Sequence, residues 1–199
     1  SDGPRENEPQ GRRGDDDSAS RDQHREHEPV DPFPWGYCWA RANSESLLRS
    51  GVTSIREIAA PNPLMKRFLR SVKTENLPAP RIVPAFSNIT TPGGHGHFLG
   101  VEAESVADLR AATRDQVRSG ARFIKIMASG GGMTPSSDPT SVQYSVEQLR
   151  AVVDEAAVAG VPCAAHAHSV ESIRNSIEAG ITSIEHGSFL DEPTAGLDP

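Results

Sequence analysis

The sequence predicts an α/β fold built on a parallel sheet. About five βα units occupy residues 34–199, behind a charged tail over residues 1–33. Three observations carry this reading. From Trp35 onward, short β-branched or apolar runs alternate with helical stretches, the pattern of consecutive βαβ units. The candidate strands are apolar along most of their length, as strands covered on both faces are. The tail has a different composition: Val30 is the only large aliphatic side chain in residues 1–32, among ten acidic and five basic residues. Such a segment buries too little apolar surface to offset the entropy of ordering, so disorder is expected there.

The elements follow in order. "WARANSESLLRS" reads as a helix stopped by Gly51, and "VTSIREIA" as a strand. "PLMKRFLRSV" is helical and "RIVPAFS" strand-like, followed by the glycine-rich loop "NITTPGGHGHFLG". "SVADLRAATRDQVRSG" is an amphipathic helix with Ser105 as N-cap and Gly120 as its stop. "RFIKIMAS" is a strand and "GGGMTPSSDPTSVQ" a loop. "YSVEQLRAVVDEAAVAG" is a helix in which Ser145 and Gln148 form a capping box. "VPCAAHAHS" and "ITSIEHGS" are strands around the helix "VESIRNSIEAG", and "FLDEPTAGLDP" adds no further element.

The chain has 199 residues, 36% of them hydrophobic, with mean hydropathy −0.48. A net charge of −7 argues against nucleic acid as a partner, since phosphate neutralisation needs clustered Lys and Arg. Cys38 and Cys163 form no CxxC pair, and Cys163 lies in an apolar run, a usage that fits a reducing compartment. No basic and then apolar leader and no membrane-length apolar run is visible, so a soluble cytoplasmic protein is expected.

The histidines are the chemical signal. His166 and His168 end one predicted strand and His186 ends the next, while Lys125 lies within the strand before them. In parallel α/β folds the ligand site lies at the C-terminal strand ends, so these groups are expected to converge. A lysine between Ile124 and Ile126 is costly to bury as an ammonium, and buried lysines become reactive amines. Strand alternation places His168 on the same side as His166. His24 and His27, in "HREH", read as solvated tail residues, because a flexible tail fixes no ligand geometry. "SGGG" at 129–132 reads as a small, flexible rim of the site.

"GVTSIRE", "ITTPGGHG", "GARFIKIMASGG", "YSVEQLRAVVDEA", "CAAHAHS" and "AGITSIEHGSFLD" resemble successive blocks of the metal-dependent amidohydrolase superfamily, in its imidazolonepropionase-like and prolidase-type dipeptidase branch. The resemblance runs from about Ala40 to Asp191. It implies a TIM-type (β/α)8 barrel, of which this chain resembles strands 2–6. It also implies a divalent metal, zinc for preference and one or two ions, held by a carboxylated Lys125 with His166 and His186. His95, His168 and Tyr144 would then face a small-molecule or dipeptide-like substrate, whose C–N bond is hydrolysed.

The same resemblance marks departures. No HxH follows an early strand, and no counterpart of the family's late catalytic Asp is present, since Asp191 follows the strand 6 block. "HGH" at His95–His97 has HxH spacing but falls in the "GGHG" block. A truncated, non-catalytic barrel fragment is therefore the alternative, with open sheet edges that leave homo-oligomerisation open. A Schiff-base lyase using Lys125 is a third reading, although it leaves the histidines without a role.

Overall fold

The computed structural model describes residues 34–197. The tail expected over 1–33, with His24 and His27, lies outside the described residues. Helix α1 (Pro34–Arg49) begins five residues before the expected stretch. Strand β1 (Ser54–Glu57), helix α2 (Asn62–Thr74) and strand β2 (Arg81–Pro84) follow. The glycine-rich segment contains two strands of two residues each, β3 (Ile89–Thr90) and β4 (Val101–Glu102), around a 3-10 turn at His97–Leu99. Then come α3 (Val106–Ser119), β5 (Ile124–Met127), α4 (Val146–Val158), β6 (Cys163–Ala167), α5 (Val170–Glu178) and β7 (Ser183–His186). One further helical turn, α6 (Glu192–Ala195), lies where no element was expected; Asp191 caps it, accepting from the Thr194 amide.

The helix boundaries have local causes. The Ser105 hydroxyl accepts from the Asp108 amide, and Gly120 ends α3 with φ 100°, a left-handed conformation that glycine adopts at little cost. At α4 both halves of the capping box form between Ser145 and Gln148.

All strand pairs within the two sheets are parallel. One sheet is β1–β2; the other has the order β4–β3–β5–β6–β7. The Ala85 amide continues the β1–β2 ladder by donating to the Glu57 carbonyl, and the two sheets meet where the Arg122 amide, just before β5, donates to the Pro84 carbonyl at the end of β2. The sheet is strongly curled. Across a flat sheet β1 and β7 would stand about 19 Å apart, at about 4.8 Å per strand. Instead the Arg56 guanidinium reaches Glu185 Oε1 at 2.5 Å and Ser183 Oγ at 3.1 Å. That curl is the wall of a partial (β/α)8-type barrel.

Burial follows the two faces. On the outer face, Ile124, Ile126, Ala165 and Ala167 pack under helices carrying Leu109, Leu149, Val152 and Ile173. On the inner face a smaller apolar floor joins Ala85, Phe123 and Ala164, flanked by Ile58 and Val83. The Arg56 guanidinium lies 5.3 Å from the Phe123 ring centre, on this floor. Alternation of direction along β5 and β6 therefore sends Lys125, Met127 and His166 inward. No helix of the described residues is long and apolar enough to cross a membrane.

Candidate metal centre

A cavity of about 410 Å³ opens at the C-terminal ends of the strands. His95, Lys125, His166, His168 and His186 line it, with Ile58, Ala59, Met127 and Met133 as its apolar flank. The site is thus assembled from β5, β6, β7, the loop carrying "GGHG" and the segments that follow β1, β5 and β6.

His166 sits at the centre of the imidazoles. Its ring centre lies 4.4 Å from that of His95, 4.5 Å from His168 and 4.7 Å from His186. His168 and His186 stack at 4.8 Å. One ring nitrogen from each of His166, His168 and His186 lies within 4.8 Å of the other two. Strand alternation brings His166 and His168 inward but would send His186 outward, since Glu185 already faces the interior. His186 instead has φ 74°, a left-handed conformation that non-glycine residues adopt at a cost of order 1–3 kcal/mol. That reversal turns its ring into the cavity.

Partners fix the rings. His166 Nε2 lies 2.9 Å from the Gly130 carbonyl, and His168 Nδ1 lies 2.8 Å from Ser188 Oγ. The His168 amide donates to Ser129 Oγ at 2.9 Å. Burial holds the His166 imidazole neutral, its pKa pulled down to about 3, with the Gly130 carbonyl opposing and His95, His168 and Lys125 adding to the effect. Burial is also the main reason that His95, His168 and His186 fall below the usual histidine range. Neutral imidazoles are the form that binds metal.

Lys125 is 1% exposed, and its Nζ has no hydrogen-bond partner. Burial pulls its pKa down to about 8; Glu185 opposes this and Arg56 adds to it. In the ladder it pairs with Ala164, while Met127 pairs with His166. Lys125 therefore stands two residues deeper than His166, not level with it as the repeat of βα units suggested.

The "GGHG" loop is held by polar groups from its neighbours. The His95 amide donates to Gln143 Oε1 at 2.7 Å, and the Gly96 amide to Thr134 Oγ1 at 3.0 Å. Gln143 Nε2 in turn donates to the Met127 carbonyl and Thr90 Oγ1. His95 ends up 4% exposed, with a buried Nδ1 that has no partner. The glycine loop lies directly on the rings. A Cβ added at Gly131 would fall 2.5 Å from His95 Cε1 and 2.8 Å from His166 Nε2. The rim is thus a fitted wall and not only a flexible edge.

As the sequence reading of the "HGH" spacing has it, His97 is not among the residues that line the cavity; its Nδ1 lies 3.5 Å from Glu102 Oε1. One sequence expectation leads elsewhere. Tyr144, expected at the substrate end, is a core residue: it is 1% exposed and its hydroxyl donates to the Ala103 carbonyl at 2.7 Å. Its place directly before the α4 cap turns the ring under the helix, away from the cavity. Tyr144→Phe is expected to destabilise the fold by about 1–3 kcal/mol, by leaving a buried carbonyl unpaired, with metal affinity unchanged; denaturant melts and a zinc titration check both halves. Sequence reasoning also missed Arg56, Glu185 and Ser188. For the first two a signal existed: an Arg and a Glu at alternate positions of apolar strands.

Residues 37–198 match the profile of the Amidohydrolase family. The chain belongs to the amidohydrolase family. Among the relatives of this amidohydrolase chain, ochratoxinase of Aspergillus niger is 28% identical over 180 residues, covering 78% of this chain and 36% of that protein. The crystal structure of A. niger ochratoxinase superposes with a TM-score of 0.73 at 27% identity, over 79% of this chain and 42% of the other. A Xaa-Pro dipeptidase with bound methionine in its active site gives 0.74 at 28% identity, over 79% and 42%. A prolidase complexed with N-methylphosphonate-L-proline gives 0.70 at 33%, over 76% and 41%. The amidohydrolase chain thus spans about two-fifths of the length of these relatives.

Proposed function

We propose that this amidohydrolase chain carries about strands 2–6 of the barrel of a metal-dependent hydrolase acting on a C–N bond of a small, dipeptide-like substrate, with the metal ligands on strands 4 to 6. One observation carries the reading: a buried lysine amine without a partner faces a cavity ringed by neutral imidazoles. The donor set fits a divalent metal. Nitrogen ligands suit zinc and its first-row neighbours, and a neutral amine is the form that takes up carbon dioxide as a carbamate. Lys125, as carbamate, would hold the metal with His166 and His186. A divalent ion there supplies a Lewis acid and an acidified water.

The chain's own residues account for the rest. The Gly130 carbonyl accepts from His166 Nε2–H, which leaves Nδ1 as the ligand atom of that ring. Gln143 accepts from the His95 amide and so holds the loop that brings the His95 ring to the cavity wall, where it can meet the substrate. Ile58, Ala59, Met127 and Met133 exclude water on the apolar side and suit an uncharged side chain. The relatives named ochratoxinase and prolidase support hydrolysis as the reaction class.

The test is hydrolysis of a panel of dipeptides and N-acyl amino acids by the metal-loaded chain in bicarbonate. Lys125→Ala and His186→Ala are both expected to lower the rate roughly 100-fold or more. No bound divalent ion with or without bicarbonate, or a rate indifferent to both variants, would overturn the reading. Borohydride trapping of a carbonyl substrate on Lys125 would favour a lyase instead.

A further inference from the structure

We propose that Arg56, on the far side of the curl, is a positioning residue for His186: its guanidinium fork pins β7 from the inside and so sets where the His186 ring stands in the cavity. The inference rests on the metal reading above, in which His186 is a ligand. It adds a residue that is not part of the cavity lining.

Four observations carry it. First, β7 stands last in the order β4–β3–β5–β6–β7, so its ladder to β6 fixes one side of the strand only. A strand held along one side is free to tilt about that side. Second, Arg56 meets β7 at two points. Nη2 donates to Glu185 Oε1 at 2.5 Å and Nη1 to Ser183 Oγ at 3.1 Å. Ser183 and Glu185 are successive residues of one face, about 6.6 Å apart along a strand. Two contacts on one rigid fork fix the direction of the strand as well as its distance; a lysine ammonium offers no such fork. Third, the fork is itself placed. Arg56 pairs with Val83 in the β1–β2 ladder, and its guanidinium carbon lies 5.3 Å from the Phe123 ring centre. Fourth, His186 directly follows Glu185, and its backbone reverses at φ 74°. The ring therefore swings on the point where Glu185 leaves the strand, and a tilt of β7 carries it off the other imidazoles. His166 and His168 lie on and just after β6, which has a neighbour on each side, and do not share this dependence.

The ion pair is partly exposed, with 45% of the Arg56 side chain and 20% of the Glu185 side chain accessible. Pairs of this kind contribute little to stability. The effect of Arg56 is therefore expected in the geometry of the site more than in the melt.

The first arm of the test needs no metal. NMR of the histidine rings in the chelator-treated whole chain should show Overhauser contacts of His186 with His166 and His168, whose ring centres lie 4.7 and 4.8 Å away, and of His166 with His168 at 4.5 Å. In Arg56→Met, which keeps an apolar stem beside Phe123, both His186 contacts should disappear while the His166–His168 contact remains. Arg56→Lys should retain the His186 contacts at reduced intensity. The second arm is a zinc titration by calorimetry in bicarbonate, in which Arg56→Met should bind about 10-fold more weakly than wild type. Unchanged His186 contacts in Arg56→Met would overturn the inference, because β7 would then need no tether. Loss of all three ring contacts together with a lowered melting temperature would overturn it too, because Arg56 would then serve the fold at large. A wild-type chain that binds no zinc would overturn the hydrolase reading, and the ring contacts would still decide the role of Arg56.

Discussion

The metal-free protein is expected to lose about 3 kcal/mol of stability between pH 7 and pH 4 from His166 alone. The unfolded imidazole titrates at 6.5, and the folded one is pulled down to about 3 by burial. Between those values the unfolded chain binds the proton and the folded chain does not. Stability is therefore full above pH 6.5 and falls by about 1.4 kcal/mol per pH unit as the solution is acidified toward 3. His95 is buried and is shifted in the same direction by the same cause, so it adds to the loss. Glu57 works the other way. Burial raises its carboxyl, so its protonation on acidification favours the folded state. The measurement is a set of urea melts at pH 7, 5.5 and 4 on chelator-treated wild type and His166→Asn. The wild type should lose stability steeply and the variant much less; parallel curves would show that His166 is not held neutral.

The second large effect is expected at the glycine rim. Gly131→Ala places a methyl within 2.5 Å of His95 and 2.8 Å of His166, closer than packed carbon and nitrogen atoms approach. The clash lies with ring atoms held by the Gly130 carbonyl and by the stacked neighbour, so relief requires moving the loop or the ligand. Overpacking of this kind costs about 1–3 kcal/mol. Here it should also weaken metal binding roughly 10-fold, by turning His166 off its carbonyl. Gly132→Ala is the matched control, because a Cβ there meets nothing within 4 Å. Thermal melts and a zinc titration of the two variants should separate them clearly. Equal behaviour would mean that the loop does not rest on the rings.

Much of the scaffold was legible because its signals are local. Ser105, Ser145 and Gly120 act within one turn of the chain, and all three behave as their residue types predict. The apolar runs around Ile124 and Cys163 read correctly as strands covered on both faces. The two-residue strands β3 and β4 were not legible. Their pairing is set by neighbours in space, and the surrounding glycines read as loop. The convergence of His166, His168 and His186 followed from strand ends and chain order. Its fine geometry did not, since the left-handed backbone at His186 and the depth of Lys125 depend on register. Tyr144 was misplaced for a related reason: beside a helix cap, sequence alone does not say whether an aromatic ring turns under the helix or toward the strand ends.

The Arg56–Glu185 pair has a kinetic consequence. The two residues are 129 positions apart, and their contact closes the inner face of the curl. Helices and adjacent βα units form through contacts of short separation and assemble early, whereas a closure this distant carries the largest entropic barrier. Helical signal should therefore appear before the cavity exists, because His186 is carried on the same strand as Glu185. The competence of the site and the final curling of the sheet are then a single event. Folding intermediates that look structured by their helices will be blind to metal.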